Sequence, residues 1–214
     1  ASLQRHTLEL GLRDYRRADL EALRDAGEVL HVKVVGLARI ASDVPPDLAR
    51  ATIGSITVLG GLQATPEVKK ALADRIRDIG YDYVGVSLDG IGATHDRFRG
   101  RVGAYEEALR GLQLLRDRGI KVGVRFTMTE DNAAELPRLL DLVEKEGFPK
   151  FYLSHLVYAG RGNKNRGTDA AWQTTREAMD MVIDRAWRWA QAGSDMEIVT
   201  GNNDADAIYL LQWA

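Results

Sequence analysis

Side chains able to bind a ligand are concentrated where a short apolar segment, Tyr83–Ser87, ends. Ser87 and Asp89 stand at that end, and Arg99 follows shortly after. In parallel α/β proteins the carboxyl ends of strands line the ligand crevice. A hydroxyl and a carboxylate there can hold the hydroxyls and amine of a small ligand, because a carboxylate accepts several hydrogen bonds. A strand-end turn in which Gly90 supplies a positive φ accounts for the same residues without a ligand.

Arg125 is the sharpest anomaly, because it interrupts the apolar segment Lys121–Thr127. A strand of a parallel sheet is expected to be buried on both faces, and a buried guanidinium must be paired. Two partners are open: Asp89 from the neighbouring strand, or an anionic group of a ligand. The arginines of T-H-D-R-F-R-G favour anion or carboxylate binding, and a helix start capped by Thr94 is the structural alternative.

A second candidate region follows the segment Lys150–Leu156. Its glycine-rich stretch combines asparagine amides with arginines and suits a phosphate or a polycarboxylate, although it matches neither a P-loop nor G-x-G-x-x-G. A solvated loop is the alternative. No metal site is predicted, because the four histidines lack ligand spacing and residues 200–206 lack the calcium-loop pattern. The candidate residues of this region are His155, Arg161, Asn163, Asn165, Asn202, Asn203 and Asp204.

Composition limits the possible functions of these groups. The net charge of −2 gives no electrostatic case for nucleic acid or for an anionic membrane. No apolar run is long enough to span a membrane and no signal-peptide pattern is found, so a cytoplasmic location is expected. The 214 residues contain no cysteine, which excludes a disulfide, a thiolate nucleophile and a cysteine-held iron–sulfur cluster.

The elements that must position these groups alternate between strand and helix. Strands are predicted near 83–87, 121–127 and 150–156, and helices near 104–118, 131–146 and 171–191. Strands separated by a helix imply right-handed βαβ crossovers. The sequence therefore predicts an α/β fold with a mostly parallel sheet of about five or six strands.

The first seventy residues differ from the rest. Residues 4–27 are charged and favour helix, and His31–Ile40 and Ser55–Ala64 resemble each other at an offset of 24. Such a repeat is typical either of a strand-plus-helix solenoid or of two successive βα units of one parallel sheet, and the second interpretation is favoured. Two domains are predicted: a βα head over 1–70, with two repeat-like strands, and a second domain over 71–214.

From about Leu72 to Trp213, long stretches such as GYDYVGVSLDGIGATHDRFRG, GIKVGVRFTMTEDN and KFYLSHLVYAGRGNKNRG resemble the radical S-adenosylmethionine (SAM) proteins of haem d1 biosynthesis. The resemblance implies a partial TIM-like barrel with SAM across the strand ends. It implies a [4Fe–4S] cluster that reductively cleaves SAM, so that a deoxyadenosyl radical starts chemistry on tetrapyrrole side chains. Ser87 and Asp89 would belong to the SAM pocket, and Arg99 and Arg125 would meet polar groups of SAM or substrate carboxylates.

The resemblance further implies that 161–165 and 202–206 face a carboxylate-rich tetrapyrrole. The chain departs from the family in lacking the C-x-x-x-C-x-x-C loop, the G-G-E-P turn and a cysteine-rich auxiliary-cluster domain. We therefore expect a catalytically incomplete, radical-SAM-like fragment whose head is a fusion, a frameshift product or a genuine domain. The alternative is a non-enzymatic SAM- or tetrapyrrole-binding module with a solenoid-like interaction head. Under either interpretation we expect one edge of the sheet to be exposed, and an exposed edge makes the chain liable to self-associate.

Overall fold

A computed structural model describes residues 3–159 and 161–213. The chain divides into two compact units, Ala1–Tyr81 and Asp82–Ala214. Each unit contains one sheet, and every strand pairing in the two sheets is parallel. The predicted α/β class with a parallel sheet is therefore confirmed, although seven described strands form two sheets where one of five or six was expected.

The first unit alternates strands and helices, and its sheet has the order β1-β2-β3. One face of β2, which includes Val32 and Val34, packs against Leu20, Leu48 and Val68 of the helices to form a buried core. The elements are β1 (Leu3–Tyr15), α1 (Arg17–Asp25), β2 (Glu28–Ile40), α2 (Pro46–Thr52), β3 (Ile53–Gln63) and α3 (Pro66–Ile79).

The helix expected over residues 4–27 is wrong for its first half, which is the strand β1. Leu8, Leu10 and Leu12 alternate with polar residues and glycine, which is the period of a strand and not of a helix. Pairing with β2 over all of β1 adds a full ladder of hydrogen bonds, which outweighs the helix propensity of the charged residues.

The two similar segments of the first unit lie side by side. Val34 pairs with Val58 and Gly36 with Gly60, so residues at the offset of 24 are direct neighbours on β2 and β3. Gly11 of β1 is in turn the neighbour of Gly36, at an offset of 25. The repeat thus corresponds to successive βα units of one parallel sheet.

The second unit contains the sheet β4-β5-β6-β7, and its predicted strands and helices are found within a few residues of their expected bounds. Short 3-10 turns at Ala133–Glu135 and Arg166–Thr168 precede α6 and α8. The elements are β4 (Val84–Ser87), α4 (Ala93–Arg99), α5 (Ala104–Arg116), β5 (Val122–Thr127), α6 (Leu136–Glu146), β6 (Lys150–Ser154), α7 (Arg161–Lys164), α8 (Trp172–Gln191), β7 (Glu197–Gly201) and α9 (Ala205–Trp213).

The two faces of this second sheet differ in chemistry. Val124 and Phe126 of β5 and Phe151 and Leu153 of β6 are fully buried on one face. Each such side chain stabilises the fold by about 1.5–3 kcal/mol. The alternate positions Ser87, Arg125 and Tyr152 form the opposite face, which we call the polar face.

No helix within the described ranges has the length and apolar character needed to cross a bilayer.

Candidate functional site

Asp89 lies in the turn after β4 and is fully buried. One carboxylate oxygen accepts the backbone N–H of Thr127 at 3.1 Å, and the other forms an ion pair with Arg99. Burial raises the pKa of Asp89, and the positive charge of Arg99 opposes that rise. The carboxylate is therefore engaged by partners inside the protein and connects the turn after β4 to the end of β5.

His95 of α4 packs beneath the same turn. Its Nδ1 accepts the backbone N–H of Asp89 at 2.9 Å, so this nitrogen carries no proton. Burial, with a further contribution from Arg99, lowers the pKa of His95 to about 4. The imidazole is neutral at pH 7 and serves as a hydrogen-bond acceptor for the turn.

Asn132 joins the ends of β4 and β5 from the other side. Its Nδ2 donates to the carbonyl oxygens of Asp89 at 3.1 Å and Thr127 at 3.0 Å, and its Oδ1 accepts the N–H of Thr129 at 2.7 Å. We call Asp89, His95, Arg99 and Asn132 the strand-end network. Asn132 is the N-cap residue of the turn Ala133–Glu135, but its side chain does not cap that turn and instead holds two strand ends together.

Glu135 extends these contacts to the start of α4. It accepts the N–H of Ile91 at 3.0 Å and the hydroxyl of Thr94 at 3.2 Å. Thr94 therefore donates to Glu135 instead of capping α4, whose N-cap residue is Gly92. The turn is fixed from several directions before any ligand is considered.

Arg125 is exposed, so the expectation of a strand buried on both faces is wrong at this position. Its guanidinium lies over the ring of Tyr152, with 4.7 Å between the guanidinium carbon and the ring centroid. Among the described residues Arg125 has no hydrogen bond or ion pair to an acidic side chain. Asp89, the proposed internal partner, is paired with Arg99. Arg125 is consequently a cation whose N–H groups can receive an external anion.

Ser87 and Tyr152 flank Arg125 in the register of the sheet. Ser87 on β4 is paired with Arg125 on β5, which is paired with Tyr152 on β6. Gly85 gives the arginine stem its room, because a Cβ there would approach Arg125 Cδ to 3.0 Å. A hydroxyl beside an unpaired guanidinium, at the carboxyl ends of parallel strands, is suited to a carboxylate ligand.

The second predicted group is partly assembled at the ends of β6 and β7. His155 Nε2 lies 2.9 Å from Asp206 Oδ2, and Asp206 is buried. Asn202 donates to the hydroxyl of Ser154 at 2.7 Å. Asn203 Oδ1 accepts the N–H of Ala205 at 3.2 Å and thereby caps α9.

Three of the remaining members form no side-chain hydrogen bond to these residues within the described part of the chain. Asn163, Asn165 and Asp204 are exposed, and nothing is described of the side chain of Arg161. Sequence reasoning missed Tyr152, and it gave Asp206 no role as a partner of His155. A signal for Tyr152 existed in Gly201, since glycine inside a strand often marks a close approach.

An iron–sulfur cluster does not fit these residues. The chain has no cysteine, and the described residues contain no group of three or more His, Cys, Asp or Glu able to hold a metal ion. Thiolates are the usual ligands of a [4Fe–4S] cluster. The 214 residues therefore cannot hold such a cluster by themselves, and no step of a reaction is derived through one.

Comparison with protein-family models identifies this architecture. Residues 49–143 match the model of the radical SAM superfamily. Over these residues the chain is similar to the radical SAM superfamily. The match includes β3, β4 and β5, and thus begins before the stretch on which the resemblance was first noticed.

Two curated relatives each match about two thirds of the chain. "Pre-heme d1 synthase" of Dinoroseobacter shibae is 64% identical over 143 residues, which are 66% of this chain and 35% of the relative. "Fe-coproporphyrin III synthase" of Methanosarcina barkeri is 41% identical over 143 residues, or 67% of this chain and 36% of that protein. The chain spans about a third of the length of these relatives. The resemblance to radical SAM proteins of haem d1 biosynthesis is confirmed.

The fold is shared with a solved radical SAM structure. Streptococcus suis SuiB, bound to its precursor peptide SuiA, superposes with a TM-score of 0.54 at 13% identity, covering 99% of this chain and 51% of SuiB. Residues 1–69 also match the model of the ribbon-helix-helix transcriptional regulator family. In this structure the described part of that segment alternates strands and helices and contains three strands.

Proposed function

We propose that the second unit binds SAM on its polar face, as part of a radical SAM protein that modifies tetrapyrrole side chains. The single observation that carries this proposal is the exposed Arg125 guanidinium, held in register beside Ser87 and lacking an internal acidic partner. The relatives named for haem d1 and coproporphyrin chemistry support the pathway.

Within this proposal the predicted cofactor residues divide into two roles. Arg125 receives the carboxylate of SAM, and the Ser87 hydroxyl accepts or donates a further hydrogen bond to its polar groups. Asp89 and Arg99 act indirectly, because their charges are already paired and they fix the turn that follows Ser87.

The tetrapyrrole side of the proposal uses the ends of β6 and β7. His155 and Asn202 lie closest to the strand ends, and we propose that they meet carboxylates of the substrate together with the exposed loop residues. These further residues are Arg161, Asn163, Asn165, Asn203 and Asp204.

SAM supplies a radical when a reduced cluster cleaves it, and these 214 residues offer no thiolate for that cluster. We therefore propose that the chain as given binds SAM without cleaving it. The domain division near residue 70 and the cytoplasmic location remain predictions from the sequence.

Calorimetric titration of SAM into the purified 214-residue chain tests the binding proposal. We expect saturation at micromolar to submillimolar ligand, and at least a tenfold loss of affinity in Arg125→Ala. Arg176→Ala is the matched control, because Arg176 also lies over a tyrosine ring, that of Tyr209 at 5.5 Å, but on α8. No binding at millimolar SAM, or equal affinities of the two variants, would contradict the proposal.

A non-enzymatic interaction role for the head is the second candidate, favoured by the edge strand β1. Leu8, Leu10 and Leu12 are 68%, 79% and 60% exposed on this strand of 13 residues. A long apolar edge is prone to pair with another chain. We propose self-association through β1, and we expect light scattering to show a larger mass for the parent chain than for Leu10→Lys. Equal masses at all concentrations would refute it.

A further inference from the structure

Tyr152 contacts Arg125, a cation of the polar face that has no acidic partner among the described residues. Its ring lies beneath the guanidinium of Arg125 at 4.7 Å, and both residues stand at paired positions of neighbouring strands. A cation over an aromatic face is attracted by the ring quadrupole. The contact places the guanidinium carbon over the ring face, and no acidic side chain among the described residues pairs with its N–H groups.

Gly201 determines where that ring can lie. A Cβ at Gly201 would overlap the hydroxyl of Tyr152 and would lie 2.8 Å from its Cζ, so the ring occupies space that a side chain on β7 would otherwise take. The backbone of Gly201 is ordinary, since it is not among the glycines with positive φ. Tyr152 therefore requires the absence of a side chain at position 201. It does not require an unusual backbone conformation there.

The stem of Arg125 is confined from the other side. A Cβ at Gly85 would meet Arg125 Cδ at 3.0 Å and the Tyr83 hydroxyl at 2.9 Å. The long side chain thus passes over a glycine of β4 and ends on an aromatic ring of β6. Arginine loses considerable rotamer freedom when it is fixed, and a fixed guanidinium loses less on binding its ligand.

We propose that Tyr152 is a positioning residue: with Gly201 it holds the Arg125 guanidinium over the tyrosine ring, so that the arginine is already in place to receive a carboxylate. This inference rests on the proposed function, in which that carboxylate belongs to SAM. Tyr152 itself does not need its hydroxyl for this role, since the ring face makes the contact.

The position of Arg125 can be measured without any ligand. In an NMR spectrum of the ligand-free chain, the side-chain protons of Arg125 are shifted upfield by the ring current of Tyr152. We expect Tyr152→Phe to keep this shift, and Tyr152→Leu and Gly201→Ala to remove it. The absence of the shift in the parent chain would overturn the inference.

Calorimetry with SAM then measures the consequence for binding. We expect Tyr152→Leu and Gly201→Ala to weaken binding about five- to tenfold, in the range of one cation–π contact, and Tyr152→Phe to bind within about twofold of the parent. Tyr158→Leu is the control, because it removes the stack under Arg166 at 4.5 Å in another part of the unit. Unchanged urea midpoints of the variants exclude a general loss of structure.

The outcomes separate the two proposals. If the parent chain shows the upfield shift but binds no SAM, the proposed function fails while the positioning of Arg125 stands. If the parent binds SAM and Tyr152→Leu binds equally well, the positioning role is refuted and the proposed function stands.

Discussion

The strand-end network lies in the segments that follow β4 and β5, and the polar face lies on β4, β5 and β6 themselves, yet the two regions differ in what their charges contact. In the network, Asp89 is buried and is paired with Arg99 and with the amide of Thr127. On the polar face, Arg125 is exposed and has only the ring of Tyr152 beneath it. A charged residue at a strand end can therefore have a structural role or a ligand-binding role, and its residue type does not tell the two roles apart. The partners of its charge do distinguish them.

The largest expected effect is on the network. Asp89→Ala leaves the amide of Thr127 and the charge of Arg99 without their buried acceptor, and breaking such a pair costs about 3 kcal/mol of unfolding free energy. Urea unfolding followed by tryptophan fluorescence measures this, because all four tryptophans lie in residues 172–213 of the second unit. Ser87→Ala, at the end of the same strand, is the control, with a change within about 0.5 kcal/mol. An equal loss of unfolding free energy in the two variants would contradict the structural role assigned to Asp89.

A smaller effect comes from the titration of His95. Its pKa is held at about 4, below the usual 6.5, so the unfolded chain takes up a proton first and stability falls as the pH drops from 6.5 towards 4. The loss reaches about 2 kcal/mol at pH 5, reduced by Asp89, whose raised pKa acts in the opposite direction.

Urea midpoints measured between pH 4 and pH 8 test this slope, and His95→Gln supplies the comparison. Glutamine keeps an acceptor for the amide of Asp89 but does not titrate. A slope that persists unchanged in His95→Gln would show that another group is responsible.

The smallest expected effect is the stability change of Arg125→Ala. An exposed side chain without a hydrogen-bonded partner contributes little, so the unfolding free energy should change by no more than about 0.5 kcal/mol. The same urea titration measures it. A loss of unfolding free energy comparable to that of Asp89→Ala would show that Arg125, like Asp89, stabilises the fold, and would contradict the difference between the two regions.

The sequence predicted the second unit well because the apolar residues of its helices and strands recur with the spacing typical of each element. In α6, for example, the buried residues recur with the period of a helix, namely Leu136, Leu139, Leu140 and Val143. The strand β1 was missed because its charged residues suggested a helix, while its pairing with β2 cannot be read from local sequence.

The candidate site was located from the sequence, but the roles within it were not. Ser87, Asp89 and Arg125 were named as candidate residues from the sequence, whereas the burial of Asp89 and the exposure of Arg125 were not predicted. The reason is that their partners are distant in the chain. Asp89 is fixed by Thr127 and Asn132, and the environment of Arg125 depends on Tyr152 and Gly85, which only tertiary packing brings together.

The strand-end network also has a consequence for the exchange of amide protons with solvent. The N–H groups of Asp89 and Thr127 donate to buried side-chain atoms of His95 and Asp89. Deuterium can replace these protons only when the network opens, and buried hydrogen bonds of this kind open in cooperative units. The turn after β4 should therefore exchange as slowly as the interior of the sheet, although it belongs to no helix or strand.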